Sequence, residues 1–190
     1  MHKGKLILLL NASPRVGGNT DIVLEKIRQT IGGRARVTKI DINNLNFKPC
    51  QVCGGCDRDE CCILQDDLRP IYKEIIESDA IVFGSPIYFG SLTAQAKMLI
   101  DRMQPFWLAK IRKGKTDIKR KKGFLILIAA AAKNEFFENA KQIVRLFFQV
   151  INTQYCGELL FAKIDRKGEI LDFPGLEKQV ARIALAALSD

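Results

Sequence analysis

Histidine is almost absent from this chain: His2 is the only one among 190 residues. Nucleophilic catalysis by a Ser–His–Asp triad or a Cys–His pair needs an imidazole beside the nucleophile, so the composition argues against both. Zinc fingers with mixed cysteine and histidine ligands are disfavoured as well, because His2 lies far in sequence from the cysteines.

Long apolar runs, internal repeats and low-complexity segments are also absent. No run approaches the roughly 18 apolar residues of a membrane span, so we expect no membrane-spanning helix. The apolar run at residues 6–10 is too short for a signal peptide and leads directly into the polar residues 11–15. We therefore expect a cytoplasmic protein with a single domain, residues 1–190, that carries a cysteine-rich loop at 48–66.

The formal net charge is +9, and the excess is concentrated between residues 110 and 122. Aromatic residues do not alternate with these cations, as they would on a surface that stacks single-stranded nucleic acid. We interpret the segment as a solvated basic loop and expect no nucleic-acid partner; contact with an acidic partner or a phosphorylated cofactor is the alternative. The cations are Lys110, Arg112, Lys113, Lys115, Lys119, Arg120, Lys121 and Lys122.

Apolar, strand-like runs alternate with amphipathic stretches along the chain, which is typical of repeated βαβ units. The predicted fold class is α/β: a three-layer sandwich with a five-stranded parallel sheet, helices on both faces and right-handed connections. Strands are predicted at 6–10, 35–40, 80–84, 123–131 and 156–163, with further strand material at 168–171, and helices at 19–31, 68–77, 92–103, 135–151 and 176–188.

The segment after the first predicted strand has the composition of a site for a single phosphate group. Ser13 and Thr20 offer hydroxyl donors, Asn19 offers an amide, and Arg15 offers a planar cation. The adjacent glycines at 17 and 18 let backbone N–H groups approach an anion at the start of the next helix. The segment matches neither the ATP-binding nor the dinucleotide-binding glycine pattern. A polar turn in which Asn19 caps the helix is the alternative interpretation.

Three blocks of the sequence resemble the NAD(P)H-dependent FMN reductase family, which has a flavodoxin-like fold. The blocks are Ser13-x-Arg15-x-x-Gly18-Asn19-Thr20, the run at 79–91, and Lys97-x-x-Ile100-Asp101-Arg102. The resemblance covers roughly residues 5–102 and implies an FMN-dependent oxidoreductase. The residues that it implies for FMN binding are Ser13, Arg15, Gly18, Asn19, Thr20, Pro86, Ile87, Tyr88, Phe89, Gly90 and Ser91.

The chemistry of a flavin suits the turn at 86–91. Such a turn can bring backbone N–H groups near N5 and O4 and tune the reduction potential, and Tyr88 or Phe89 can cover a ring face. Ordinary packing at a strand end is the alternative for both rings. No acid–base catalyst is evident, and none is required because N5 of the flavin accepts the hydride or electron. A third loop at 129–134 lacks glycine, and its Lys133 is a candidate for the N1–O2 edge of the ring.

Five of the six cysteines lie between residues 50 and 62. A disulfide framework spreads cysteines over a small secreted chain, so their crowding in one loop indicates metal or redox chemistry. Closely spaced thiolates can wrap an iron–sulfur cluster. Free or redox-active thiols are a second interpretation and zinc is a third. The spacing is Cys50-x2-Cys53-x2-Cys56-x5-Cys62.

This spacing is similar to that of the iron–sulfur flavoproteins, a branch of the same flavodoxin-like group, in which the last cysteine precedes an Asp-Asp pair. The resemblance implies a 4Fe–4S cluster on Cys50, Cys53, Cys56 and Cys62, with Cys61 as a spare thiol. From the residues themselves, we interpret Asp66-Asp67 as the N-cap and first-turn acids of the helix at 68–77, with paired acids or a metal site as the alternative. We interpret Asp101-Arg102 as a structural ion pair and Cys156 as buried in a strand.

The resemblance therefore implies an electron-transfer flavoprotein. Electrons would arrive from a ferredoxin-like donor or NAD(P)H, pass between the cluster and FMN, and leave to a small acceptor such as a quinone. A homodimer or homotetramer is implied. Two alternatives remain: a metal-free NAD(P)H-dependent FMN or quinone reductase, and a module that binds nucleic acid or a partner through residues 110–122 on a cofactor-free scaffold.

Overall fold

Five strands form one parallel sheet in the computed structural model, which describes residues 4–59, 61–114 and 118–189. The strand order is β2-β1-β3-β4-β5, and every neighbouring pair is parallel. The predicted α/β class and the five-stranded sheet are therefore confirmed. The strands are β1 (Leu6–Asn11), β2 (Arg36–Asp41), β3 (Ala80–Pro86), β4 (Lys121–Ala129) and β5 (Thr153–Ala162).

Helices cover both faces of this sheet. The helices are α1 (Asn19–Ile31), α2 (Gly55–Asp59), α3 (Arg69–Glu77), α4 (Ala94–Asp101), α5 (Gln104–Lys113), α6 (Asn134–Val150) and α7 (Leu176–Leu188). Apolar side chains of α1 and α7 form one core with the sheet, and those of α3, α4 and α6 form another on the opposite face. These two cores make the three layers that the alternating pattern predicts.

The side chains of β1 are divided between the two cores. Ile7 and Leu9 belong to the core beneath α1, whereas Leu8 and Leu10 belong to the core beneath α3 and α4. Successive side chains of a strand point to opposite faces, so a strand that is covered on both sides must be apolar throughout. This requirement explains the uninterrupted leucine-rich run at 6–10.

Close packing requires a glycine at position 123 in β4. A Cβ atom added to Gly123 would lie 2.4 Å from the Phe148 ring and 2.6 Å from Thr153 Cγ2. Phe148 stands in a row of rings, with its centroid 5.6 Å from that of Phe147 and 6.1 Å from that of Tyr155. Glycine is therefore required here because the aromatic row leaves no room for a methyl group.

The basic segment at 110–122 is only in part the loop that the sequence predicted. Pro105 lies in the first turn of α5, where a missing N–H costs nothing, so the chain continues as a second helix. Lys110 and Arg112 lie in that helix, and Lys121 begins β4. Lys115 falls outside the described residues.

Several of these cations are engaged within the chain. Lys119 Nζ lies 2.7 Å from an Asp79 carboxylate oxygen, and Arg120 donates to Gln154 at 2.8 Å. Lys121 is buried and donates to the backbone oxygen of Ile75 at the end of α3. Burial, followed by the charge of Lys119, lowers the pKa of Lys121 to about 8. The interpretation as a solvated loop is therefore wrong for Lys121, whereas Lys119 and Arg120 are exposed between α5 and β4.

Two smaller predictions near the end of the chain are also wrong. Residues 169–172 form a 3₁₀ turn, not a strand, because Gly168 before it is left-handed with φ of 86° and breaks the extended path. Cys156 is exposed, since β5 is the edge strand of the sheet. Within the described ranges, no helix combines the length and apolarity required to cross a bilayer.

We expect Gly123→Ala to lower the free energy of unfolding by about 1–3 kcal/mol, because the added methyl group overpacks the aromatic row. Gly33→Ala is the matched control, since nothing lies within 4 Å of a Cβ built there. Urea unfolding followed by circular dichroism measures both. A Gly123→Ala protein as stable as the Gly33→Ala protein would contradict this account of the core.

Candidate functional site

The carboxyl ends of β1 and β3 define the site. These strands are neighbours at the centre of the sheet, yet the chain leaves β1 toward α1 on one face and β3 toward α4 on the other. The two loops diverge and leave a hollow between them. In open parallel sheets, ligands bind at such a point, where the direction of the connections reverses.

The loop after β1 turns tightly back on itself. Ser13 Oγ accepts the N–H of Arg15 at 3.2 Å, and the Gly18 N–H donates to the backbone oxygen of Arg15 at 3.0 Å. A Cβ on Gly18 would lie 2.9 Å from Arg15 Cβ. Glycine is therefore needed for the loop to close against its own backbone.

The loop delivers the amino terminus of α1 to the hollow. The first amides of a helix have no acceptor inside it and carry the positive end of its dipole, so residues 19–21 offer N–H groups to an anion. Asp21 in this turn would oppose an anion, but it accepts the Gly17 N–H at 3.0 Å and forms an ion pair with Lys39. Its negative charge is thereby balanced.

Asn19 has a different set of partners from the one its sequence suggested. Gly18 occupies the N-cap position of α1, and the Asn19 side chain crosses to the turn after β5. Its Nδ2 donates to the Arg166 backbone oxygen at 2.9 Å, and its Oδ1 accepts the N–H groups of Gly168 at 2.9 Å and Ile170 at 3.3 Å. Asn19 therefore fixes the 166–170 turn against the loop after β1.

Two cations border this loop. Arg15 is exposed on the rim, where its Nη1 donates to the backbone oxygen of Asp165 at 2.9 Å. Lys167 comes from the turn that Asn19 holds: a Cβ added to Gly17 would lie 3.4 Å from Lys167 Nζ. Sequence reasoning missed Lys167, because no local pattern shows which distant turn the fold brings to Gly17.

The turn after β3 forms the other wall. Tyr88 and Ser91 exchange two backbone hydrogen bonds of 2.9 and 3.1 Å, and the residues between them, Phe89 and Gly90, are left-handed with φ of 49° and 74°. A Cβ on Gly90 would lie 2.9 Å from the Phe136 ring. Phe89 is fully exposed at the tip.

One hollow brings together seven of the eleven residues predicted for FMN: Ser13, Arg15, Asn19, Thr20, Pro86, Ile87 and Tyr88. Gly18, Phe89, Gly90 and Ser91 belong to the two turns but do not line it. Ala130 from the third loop, Ile128, Ile164 and Asp165 complete its lining. Lys133 is directed elsewhere, with Nζ over the Phe136 ring at 5.1 Å from the centroid.

The cysteine loop forms a second, larger cavity of about 490 Å³. The four cysteines predicted as ligands, Cys50, Cys53, Cys56 and Cys62, all line it, whereas Cys61 lines a different pocket with Tyr72 and Arg69. All six cysteines of the chain are free thiols. The cavity is thus lined by four of the five thiols of the loop, and Cys62 also lines the pocket of Cys61.

The backbone of this loop is unusual on both sides of Cys53. Val52 has φ of 50° and Gly54 has φ of 71°. A β-branched residue rarely adopts the left-handed conformation, so Val52 is strained. The Val52 side chain is 91% exposed, so packing in this chain does not compensate for the strain.

The neighbouring thiols affect the pKa of Cys56, but the thiols do not meet at one point. Burial raises the pKa of Cys56, and the neighbouring Asp57, Cys50 and Cys62 act in the same direction. In the described part of the chain, no three Cys, Asp, Glu or His side chains converge as a metal-binding group. The four thiols that line the cavity are nevertheless the type of donor that an iron–sulfur group takes.

A buried ion pair underlies this cavity and corrects two predictions. Leu68, not Asp66, is the N-cap residue of α3, and no acid lies in the first turn of this helix. The Asp66 carboxylate accepts the Leu68 N–H at 3.3 Å and pairs with Arg102 at 2.7 Å, and Arg102 is 1% exposed. Asp101 pairs with Lys97 instead, also at 2.7 Å. Burial favours a higher pKa for Asp66, but the Arg102 hydrogen bond and the Lys48 N–H hold that pKa below its usual range.

Comparison with known proteins identifies the group to which this architecture belongs. The family model described as NADPH-dependent FMN reductase matches residues 6–162. The chain belongs to this family. The match includes both loops at the hollow and the cysteine loop, and it supports FMN as cofactor and an FMN-dependent oxidoreductase as the class of enzyme. The predicted family and enzyme class are thereby confirmed.

Curated relatives carry the name of the iron–sulfur branch. An iron–sulfur flavoprotein of Methanocaldococcus jannaschii is 31% identical over 145 residues, which cover 76% of this chain and 72% of the relative. An iron–sulfur flavoprotein of Archaeoglobus fulgidus is 32% identical over 124 residues, which cover 65% of this chain and 54% of that protein. The alignment thus leaves nearly half of the second relative unmatched.

A solved structure confirms the flavodoxin-like fold. An NAD(P)H:quinone oxidoreductase from Methanothermobacter marburgensis superposes with a TM-score of 0.74 at 15% identity, covering 94% of each chain. At this identity the likeness concerns the fold alone. In this FMN reductase fold, the tight turn at Gly18 and the free amides of α1 suit a phosphate, and the Tyr88 turn offers a wall for the ring.

We expect Arg15→Ala and Lys167→Ala each to weaken FMN binding about tenfold, the effect of removing one hydrogen bond to a charged group. Riboflavin lacks the phosphate, so its affinity should change little. Fluorescence titration of the apoprotein measures both ligands, with Arg28→Ala on the outer face of α1 as the control. Equal losses for FMN and riboflavin, or no loss for FMN, would contradict this placement of the phosphate.

Proposed function

We propose that the chain is an iron–sulfur flavoprotein that relays electrons between FMN and a 4Fe–4S cluster held by Cys50, Cys53, Cys56 and Cys62. The observation that carries the proposal is the shared cavity: these four thiols line it and Cys61 does not. Four thiolates in a short loop are the donor set of such clusters. The names of the relatives from two archaea support the same assignment.

The chain would hold FMN at the hollow between the loops after β1 and β3. The amides at the start of α1, with Ser13, Thr20, Arg15 and Lys167, would bind the phosphate. The turn at 86–91 would carry the ring, with Tyr88 against one face. Bound FMN exchanges either one or two electrons, so it can link a two-electron donor with a one-electron centre.

The donor would be NAD(P)H or a ferredoxin-like protein, and the acceptor a small molecule such as a quinone. A homodimer or homotetramer is part of the proposal: Phe89 and Val52, at the tips of the two site loops, are exposed apolar residues that a second copy can cover. Six cysteines with no disulfide among them suit a reducing compartment, which favours the cytoplasm.

A metal-free NAD(P)H-dependent FMN or quinone reductase is the second candidate. It is favoured by the spread of the thiols, because no three potential ligands converge among the described side chains. The same FMN site would serve both candidates, and the difference between them lies entirely in the cysteine loop. The basic-module alternative receives no support from the family, which is one of FMN-dependent enzymes.

Anaerobic reconstitution with ferrous iron and sulfide tests the proposal. We expect about four iron and four sulfide ions per chain, the content of one 4Fe–4S cluster, together with flavin absorbance. Cys62→Ser should lose most of the iron, and the matched Cys61→Ser should retain it. Wild-type protein that binds FMN and oxidises NAD(P)H but takes up no iron would overturn the cluster and leave the metal-free reductase.

A further inference from the structure

Arg102 follows α4 directly and is buried beneath the cysteine loop. Its Nη1 donates to the Lys48 backbone oxygen at 2.7 Å and to Asp66 Oδ2 at 2.7 Å, and its Nη2 donates to Asp66 Oδ1 at 3.1 Å. Lys48 and Asp66 are the two ends of the loop that carries the four thiols. One guanidinium group therefore holds both ends of the loop.

Neighbouring contacts keep this arrangement in place. Asn46 and Asp67 join the same two chain segments: the Asn46 N–H donates to the Asp67 carboxylate at 2.7 Å. Tyr72 donates to the backbone oxygen of Arg102 at 2.9 Å. Because the guanidinium is planar and its donors are fixed in direction, these contacts also determine where its other N–H groups lie, the Nε–H among them.

Three of its five N–H groups are used in these bonds, and the Nε–H is buried and has no acceptor among the described residues. A buried donor without a partner is costly and calls for an explanation. Arg102 lines the same cavity as Cys50, Cys53, Cys56 and Cys62. Sulfur accepts hydrogen bonds, so a sulfur held in that cavity is a candidate acceptor for this N–H.

We infer that Arg102 is a positioning residue of the four-cysteine site: it closes the loop and offers its buried Nε–H to a sulfur held there. The second half of this inference rests on the proposed function. Hydrogen bonds to the sulfurs are one of the factors that set the reduction potential of an iron–sulfur cluster. A donor that carries positive charge stabilises the more negative, reduced form and raises the potential.

The position of Arg102 also connects the two sites. Helix α4 begins beside the FMN hollow, where Thr93 Oγ1 donates to the Ala12 backbone oxygen at 2.8 Å, and it ends at Arg102. Eight helical residues span about 12 Å. Because α4 is anchored at both ends, the cysteine loop is kept at a fixed separation from the loop that receives FMN.

The first test uses the protein without iron and compares Arg102→Gln with Arg112→Gln. Arg112 also contacts an aspartate of the cysteine loop, but this pair with Asp57 is exposed and 3.6 Å long. Hydrogen exchange should become about tenfold faster or more across residues 48–66 in Arg102→Gln. It should change less than about twofold in Arg112→Gln, since exposed ion pairs contribute little.

The second test uses the reconstituted protein. Arg102→Gln should bind less iron than Arg112→Gln, and its remaining cluster should have a more negative reduction potential in a spectroelectrochemical titration. Arg102→Lys keeps the positive charge and should recover iron binding in part. Its potential should stay below that of the wild type, because an ammonium group bonded to Lys48 and Asp66 has no N–H at the Nε position.

The outcomes separate the parts of the inference. Unchanged exchange in Arg102→Gln overturns loop closure, and an unchanged potential in both Arg102 variants overturns the sulfur bond. If wild-type protein takes up no iron, the proposed cluster fails, while the exchange comparison still decides loop closure. Should Arg102→Gln not fold, Asp66→Asn weakens the same pair with little change in volume and serves for the exchange experiment.

Discussion

The burial of β1 and β3 between two layers of helices is the constraint on which the rest of the structure depends. Their backbone groups are used in the ladder and their side chains are apolar on both faces, so polar chemistry can collect only where the strands end. The connections then leave β1 and β3 toward opposite faces, which opens the hollow between their loops. The loop after β1 and the Tyr88 turn thus meet, although about seventy residues of sequence separate them.

The cysteine loop follows β2, at the same edge of the sheet as the hollow, and its thiols border a cavity of their own. Helix α4 lies between the two sites, bonded through Thr93 to the phosphate loop and through Arg102 to the ends of the cysteine loop. Helix α4 thus connects the loop after β1 with the cysteine loop. An electron-transfer protein needs such a fixed separation between its centres, and a metal-free reductase needs only the hollow.

Each of the two loops that carry these sites contains a strained residue. Val52 and Phe89 are left-handed without being glycine, and both side chains are exposed. Each such conformation costs about 1–3 kcal/mol and persists only where the surroundings impose it. The Tyr88–Ser91 hydrogen bonds impose it on Phe89. The surroundings of Val52 are the four-cysteine loop itself, and thiols bound to a common centre would hold that turn closed.

Much of this protein is determined by local pattern. The buried strands, the ends of α1 and α7, the tight turn after β1 and the presence of one cysteine-rich loop all follow from periodicity, glycine positions and spacing, because neighbours in sequence decide them. The tertiary structure alone decided the rest: Lys167 beside Gly17, Asn19 bonded across to the 166–170 turn, and Arg102 paired with Asp66 instead of Asp101. Each of these contacts joins residues that lie far apart in the chain. The packing that excludes water around a buried cation determines which anion pairs with it, and no local sequence pattern shows that packing.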